Sequence, residues 1–175
     1  MLELAYLNQE ALNKSWQKCL TAGIFFFYFF DPVLQYKVEI VNNDWNILQY
    51  VSKNNAGEIN GFFAAYINRN HNYVENIDII NLTEKSNIIF IVDLVDFLEI
   101  ILIKRNFRKA VFHAISDNPA TKSYGRYIKR YNLGTIVGVL KQSKLLLDGK
   151  YHDEMIYEIY RENFFEFFKK LKKNK

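Results

Sequence analysis

The chain has 175 residues, half of them hydrophobic and 17% aromatic, with 15 Phe and 12 Tyr, which is enough apolar bulk for one packed domain and excludes a disordered or fibrous chain. The formal net charge is +4 with much of the excess in the ending KKLKKNK, which reads as a solubilising end with nucleic acid or an acidic surface as the alternative, while RYIKRY is too narrow a basic stripe for a nucleic-acid module; the single cysteine, Cys19, excludes an intramolecular disulfide. The opening MLELAYLNQEALNK lacks a basic stretch followed by an apolar core, so no secretory leader and a cytoplasmic placement are expected.

In chain order, Leu2–Leu7 reads as a short first strand. Gln9–Ala22 has helical spacing at Ala11, Leu12, Trp16, Cys19 and Leu20, with the thiol packed inward. Phe25–Phe30 is very apolar but stops at Asp31-Pro32 and is too short to span a membrane. Trp45–Ser52 and the alternating Glu58–Asn68 form a hairpin around NNAG, and Tyr73–Leu82 returns as a further strand after NRNHN. A polar turn, Thr83-Glu84-Lys85-Ser86-Asn87, leads into a helix over Ser86–Lys104. Asp93, Asp96 and Glu99 fall three apart and form one polar stripe on that otherwise apolar helix, which marks a core helix rather than a lipid span.

Lys109–Ile115 is a short apolar strand, and strand, helix and strand at this spacing predict a right-handed crossover between parallel strands. Asp117 or Asn118 caps the next helix with Pro119 at its first position; the helix runs to about Tyr131 and ends at Asn132 or Gly134. Thr135–Leu140 and Glu154–Tyr160 are the last strands, with a turn at Asp148-Gly149. The chain closes on an amphipathic helix whose Phe164, Phe165, Phe167, Phe168 and Leu171 predict docking on its own domain or on a second copy, making a homo-oligomer or assembly contact. The whole is expected to be one α/β (α+β) domain over 1–175. Its mixed, mostly antiparallel sheet turns parallel around Thr83–Asn87, and ligands favour such a switch in open sheets.

Three groups of residues carry candidate chemistry. The polar turn opens a helix, and helix N-termini bind anions through free N–H groups. Tyr124, Tyr127 and Tyr131 share roughly one helical face, flanked by Arg126, Lys129 and Arg130, which can meet phosphates or a partner; the plain alternative is that the tyrosines pack on the sheet. Asp78 can accept a proton from an incoming amine directly or through water, with Glu75 and Asp153 as further options. His71, His113 and His152 show no metal-ligand spacing, so no metal is expected.

The order of elements, the segment DNPATKSYGRYIKRYNLGTIVGVL and the ending LLLDGKYHDEMIYEIYRENF resemble the GCN5-related N-acetyltransferases, particularly divergent members encoded in phage genomes, for which host cytoplasm or a virion is the implied location. The resemblance implies a three-layer fold with acetyl-CoA between the fourth and fifth strands and an amine acceptor, small molecule or protein, that attacks the thioester. It implies that the turn Leu82, Thr83, Glu84, Lys85, Ser86 and Asn87 holds the pyrophosphate. Asn118 stands where the family has a strand-end Asn on the cofactor side, Arg126 is near enough for CoA phosphates, and Tyr127 fits the family's general acid.

The chain departs from that family's glycine-rich turn, because TEKSN has no glycine to bring backbone close to phosphate. A cap from Ser86 or Thr83 would occupy the N–H groups phosphate needs, and Glu84 sets a negative charge there that Lys85 offsets. A non-catalytic module on the same scaffold, serving assembly or binding as in a phage particle, is therefore the alternative expectation.

Overall fold

The computed structural model describes residues 1–23, 27, 36–42, 44–83 and 87–173. The apolar run Phe25–Phe30, except Phe27, the break at Asp31-Pro32, and the turn residues Glu84, Lys85 and Ser86 lie outside the described residues.

The chain builds β1 (Leu2–Leu4), α1 (Gln9–Thr21), β2 (Ile47–Lys53), β3 (Ile59–Asn68), β4 (Tyr73–Asn81), α2 (Ile88–Glu99), β5 (Lys109–Ile115), α3 (Pro119–Tyr131), β6 (Gly134–Leu145), β7 (Tyr151–Tyr160) and α4 (Arg161–Lys173). The strands form one mixed sheet in the order β1-β2-β3-β4-β5-β7-β6, antiparallel everywhere except between β4 and β5.

Both faces of the sheet are covered, which is why β3 is buried nearly throughout despite its alternating pattern. Phe62 and Ala64 point to one face, where they pack with Leu12, Trp16 and Cys19 of α1. Phe63, Ala65 and Ile67 point to the other, where α2, α3 and α4 contribute Phe97, Ile128 and Phe164. A central strand between two helical layers needs apolar residues on both faces, as in buried parallel sheets.

Several boundaries differ from the sequence expectation for local reasons. β1 ends at Leu4 because Asn8 donates its amide to the Leu4 carbonyl at 3.1 Å and draws Ala5–Asn8 into a tight 3₁₀ turn. α2 begins at Ile88, and after Glu99 it widens into one π-helical turn, Ile100–Lys104. α3 stops at Asn132, whose φ of 50° makes it the left-handed cap. Gly134 has a different role: a Cβ there would stand 1.9 Å from the Glu158 carbonyl oxygen, so glycine lets β6 start against β7. The C-terminal helix docks on its own domain, burying Phe164 and Phe168; the second copy allowed for in the sequence is not needed to cover them. No helix among the described residues is long and apolar enough to cross a membrane.

Candidate active site

The strands β4 and β5 meet at a single register position, Val74 opposite Ala110, close to the start of both. β5, in contrast, pairs with β7 along its whole length. The two parallel strands therefore part as they run toward Asn81 and Ile115. A gap in the middle of a sheet exposes backbone that would otherwise be paired.

β4 also carries a bulge. Two of its residues, Asn76 and Ile77, lie opposite the single Ala65 of β3, and Asn76 takes the left-handed conformation at φ 49°. Asparagine tolerates this conformation better than a branched residue. The bulge resets the alternation, so Val74 and Ile77, three apart, both join the core beneath α2 and α3. Asp78, opposite Ala64, consequently faces the α1 side of the sheet.

On the α2 and α3 side the gap opens into a cleft of about 1370 Å³. Its floor includes Ile77, Ile79 and Phe112, and its walls include Leu94 of α2 and Tyr124 and Tyr127 of α3. At the strand-end mouth stand Asn81, Thr83, Asn87 and Asn118. The far end is closed by α4, with Phe167, Leu171 and Lys170.

Among the described residues of the turn at this mouth, Leu82 and Thr83 have their backbone N–H groups engaged. Leu82 donates to the Asn60 carbonyl at 2.9 Å, and its side chain packs on the α1 side rather than toward the cleft. Thr83 donates its N–H to the Asn81 side chain at 3.1 Å, and its hydroxyl donates to the same oxygen at 2.7 Å. The helix cap is Asn87 rather than Thr83; in extended conformation it accepts from the Ile89 N–H at 2.9 Å. Ile88 and Phe90 stand in the same first turn, where a helix supplies no partner of its own for backbone N–H groups.

The tyrosines divide by burial. Tyr127, 44% exposed, lines the cleft and stacks on Tyr131 at 6.2 Å. Tyr124 is half-buried in the same cleft and packs edge-on against Phe112 and Tyr157 at 5.4 and 6.3 Å. Tyr124 is thus the tyrosine set nearest the strand gap. Asn118 caps α3, accepting from the Ala120 N–H at 2.9 Å, and reaches the cleft rim. Arg126 is exposed and is not part of the cleft wall.

On the α1 side the same gap meets a polar cluster that sequence spacing does not show. Asp78 is open to solvent, yet the surrounding protein withdraws enough water to push its carboxyl up to about 6, with Lys144 of β6 opposing the shift. The neighbouring strands add the buried Glu154, which takes a hydroxyl hydrogen bond from Ser143 at 3.1 Å and lies 3.3 Å from the ring of His113. Lys144 approaches the same carboxylate at 3.9 Å. Only the β5–β7 register brings His113 and Glu154 together. The other carboxylates considered are structural: Glu75 accepts from Tyr73 at 2.8 Å, and Asp153 is bound by Lys141 at 2.7 Å, which holds its carboxyl below the usual range. Among the described residues no three His, Cys, Asp or Glu side chains could hold a metal ion.

No family model matches the sequence, and no curated protein matches it either. Solved structures do match. The spermidine/spermine N-acetyltransferase SpeG of Vibrio cholerae, solved with manganese ions, aligns at a TM-score of 0.60 and 21% identity over 71% of this chain and 71% of its own. A GCN5-related N-acetyltransferase of Brucella melitensis aligns at a TM-score of 0.66 and 15% identity over 93% of this chain and 76% of its own. Identities this low speak to fold rather than activity. Together with the parted β4–β5 pair, these likenesses show that the chain has the GCN5-related N-acetyltransferase fold.

Proposed function

We propose that the protein is an acyl-CoA-dependent N-acyltransferase, with acetyl-CoA as the simplest donor and an amine as acceptor. The observation that carries this reading is the two-sided gap between β4 and β5. One side is an apolar cleft with tyrosines, and on the other stands the carboxylate of Asp78. The floor of Ile77 and Ile79 suits the donor's pantetheine arm, while Asn87, Asn118 and the N–H groups of Ile88 and Phe90 are left to meet its phosphates. With the N–H groups of Leu82, Thr83 and Ile89 engaged, the grip on pyrophosphate is weaker than a free turn would give.

The donor supplies a thioester carbonyl; as the C–N bond forms and the C–S bond breaks, the nitrogen sheds a proton and the thiolate gains one. Asp78 accepts the first, directly or through water, since a base near pKa 6 is ionised at neutral pH yet still basic enough to take a proton. Tyr127, exposed in the cleft, or Tyr124, closer to the gap, supplies the second. Glu154 and Asp78 on the α1 side favour a cationic amine arriving there, which gives one proton to solvent to become the neutral nucleophile before the step above.

Calorimetric titration with acetyl-CoA tests the reading. Binding in the micromolar to millimolar range, lost on filling the gap with Ile79→Trp, supports it. Absence of heat and of thermal shift at millimolar acetyl-CoA refutes it. The engaged N–H groups of Leu82 and Thr83 favour the second reading, a non-catalytic module that keeps the scaffold, which predicts that silent result together with retention of a protein partner.

A further inference from the structure

Resting on that reading, we infer that the acyl group carried by this protein's donor is a hydrocarbon chain of medium length, laid along the groove between α2 and α3. The cleft, at about 1370 Å³, exceeds the roughly 300–1,000 Å³ usual for a small-molecule site, so it holds more than a pantetheine arm ending in an acetyl group. From the gap its lining continues along Leu94 and Val95 of α2 and Tyr131 of α3 to Phe167 and Leu171 of α4.

Over that length the walls are apolar and only partly covered. Leu94 and Val95 of α2 are half-buried, Tyr131 of α3 is 41% exposed, and Phe167 and Leu171 of α4 close the end, Leu171 at 37%. Exposed apolar side chains gathered in one groove are uncommon unless something covers them. The polar side chains stand at the rims. Asn81, Thr83, Asn87 and Asn118 occupy the strand-end mouth, while Asp96, Glu99, Lys170 and Lys172 stand where α4 meets α2. Glu99 is already paired with Lys172 at 3.5 Å and Lys104 at 3.3 Å.

The occupant is fixed by this distribution. A peptide or sugar laid between Leu94 and Tyr131 would leave its polar groups unpaired, which is costly in an apolar site. A hydrocarbon has none to lose. The groove is also continuous with the gap where the thioester carbonyl must sit, so a chain attached to that carbonyl reaches it without leaving the protein surface. An acetyl group ends at the gap and leaves the groove wet.

The test is a chain-length series by calorimetry on the full chain: coenzyme A, acetyl-CoA, octanoyl-CoA and dodecanoyl-CoA. Affinity is expected to rise from acetyl to octanoyl by about tenfold or more, because each methylene withdrawn from water adds favourably. Leu171→Glu, on a partly exposed position of α4 that tolerates substitution, sets a charge at the groove's end. It should cut the gain from octanoyl to dodecanoyl to within about twofold of none. Equal affinity for acetyl- and octanoyl-CoA, or an unaltered gain in Leu171→Glu, overturns the chain-length inference and leaves the acyltransferase reading standing. If no CoA thioester binds at all, the acyltransferase reading itself falls, and this inference with it.

Discussion

Gly61 of β3 lies directly beneath the first turn of α2, and replacing it with alanine probes how the cleft's mouth is held. A Cβ at this position would stand 2.2 and 2.4 Å from the Phe90 ring. The ring can give way only toward the cleft it lines, at the cost of its stacking: Phe90 is 5% exposed and stacks on Phe63 at 4.9 Å, which in turn stacks on Phe97 at 5.4 Å. Overpacking of this kind costs typically about 1–3 kcal/mol. Alanine recovers about 0.5–1 kcal/mol by limiting the unfolded backbone. The net for Gly61→Ala is a loss of roughly 1–2 kcal/mol, or about 2–8 °C in Tm at this chain length, measured by calorimetric melting. Because Phe90 begins α2 beside the cap at Asn87, acetyl-CoA affinity should fall as well. Trimming the ring in Phe90→Leu should make the two changes strongly non-additive, since they share one contact. A Tm unchanged or raised in Gly61→Ala, or simple additivity with Phe90→Leu, would refute the claim that glycine seats α2.

The remaining expectations concern chemistry and packing. Activity should climb as pH rises through about 6, where Asp78 loses its proton, and Asp78→Asn should remove that limb; a limb that persists in the variant assigns it to another group. The sign for stability is opposite to that of a paired carboxylate: a folded pKa above the ordinary 3.8 penalises the folded state above about pH 6. Asp78→Asn should therefore raise Tm at about pH 8 and leave it unaltered below about pH 4. His152 is held between Asp117 at 3.1 Å and Asp148 at 3.1 Å, and these carboxylates raise its pKa. Its stabilisation is present below its ordinary 6.5 and is lost as pH rises through the raised value, so His152→Gln should lower Tm at about pH 6 and have little effect at about pH 9. Phe97→Ala, at a fully buried site, should cost about 3–5 kcal/mol by denaturant unfolding, while Leu94→Ala, on the cleft wall, should cost clearly less. Truncation before Glu162 removes the buried Phe164 and Phe168 and should lower Tm sharply; an unchanged Tm would show that α4 does not belong to this core.

The fold was legible where local signals agreed. The limits of β5 follow from the short apolar KAVFHAI, and those of α3 from the Asn-Pro start and the left-handed Asn132. The parallel β4–β5 pair follows from strand, helix and strand in succession. What stayed hidden depends on register. Alternation along Tyr73–Asn81 sets Asp78 on the same face as Val74, and only the bulge at Asn76 turns it to the α1 side, where it becomes a candidate base. No residue type in NIDII announces a bulge; Asn76 merely permits one. His113 and Glu154 are separated along the chain and meet through β5–β7 pairing alone. The engagement of Leu82 through Asn60 is likewise a contact between strands, invisible in the TEKSN turn.

The turn and the groove bear on one another. A donor gripped through its phosphates needs free N–H groups, and here three in or beside the turn are engaged: Leu82 with Asn60, Thr83 with Asn81, and Ile89 with Asn87. The uncovered apolar surface of Leu94, Tyr131 and Leu171 is a second source of binding free energy in the cleft. Burial of apolar area is nearly indifferent to ionic strength, whereas contacts with exposed charges are screened over about 8–10 Å at 0.1–0.15 M salt. The balance between the two is thus readable in a salt titration. Octanoyl-CoA affinity should fall only slightly between about 0.05 and 0.5 M salt, and the small fall should match that of acetyl-CoA, because both share the same phosphates. A steep fall for both would mean that the phosphates dominate after all, held at the start of α2, and that the groove contributes little.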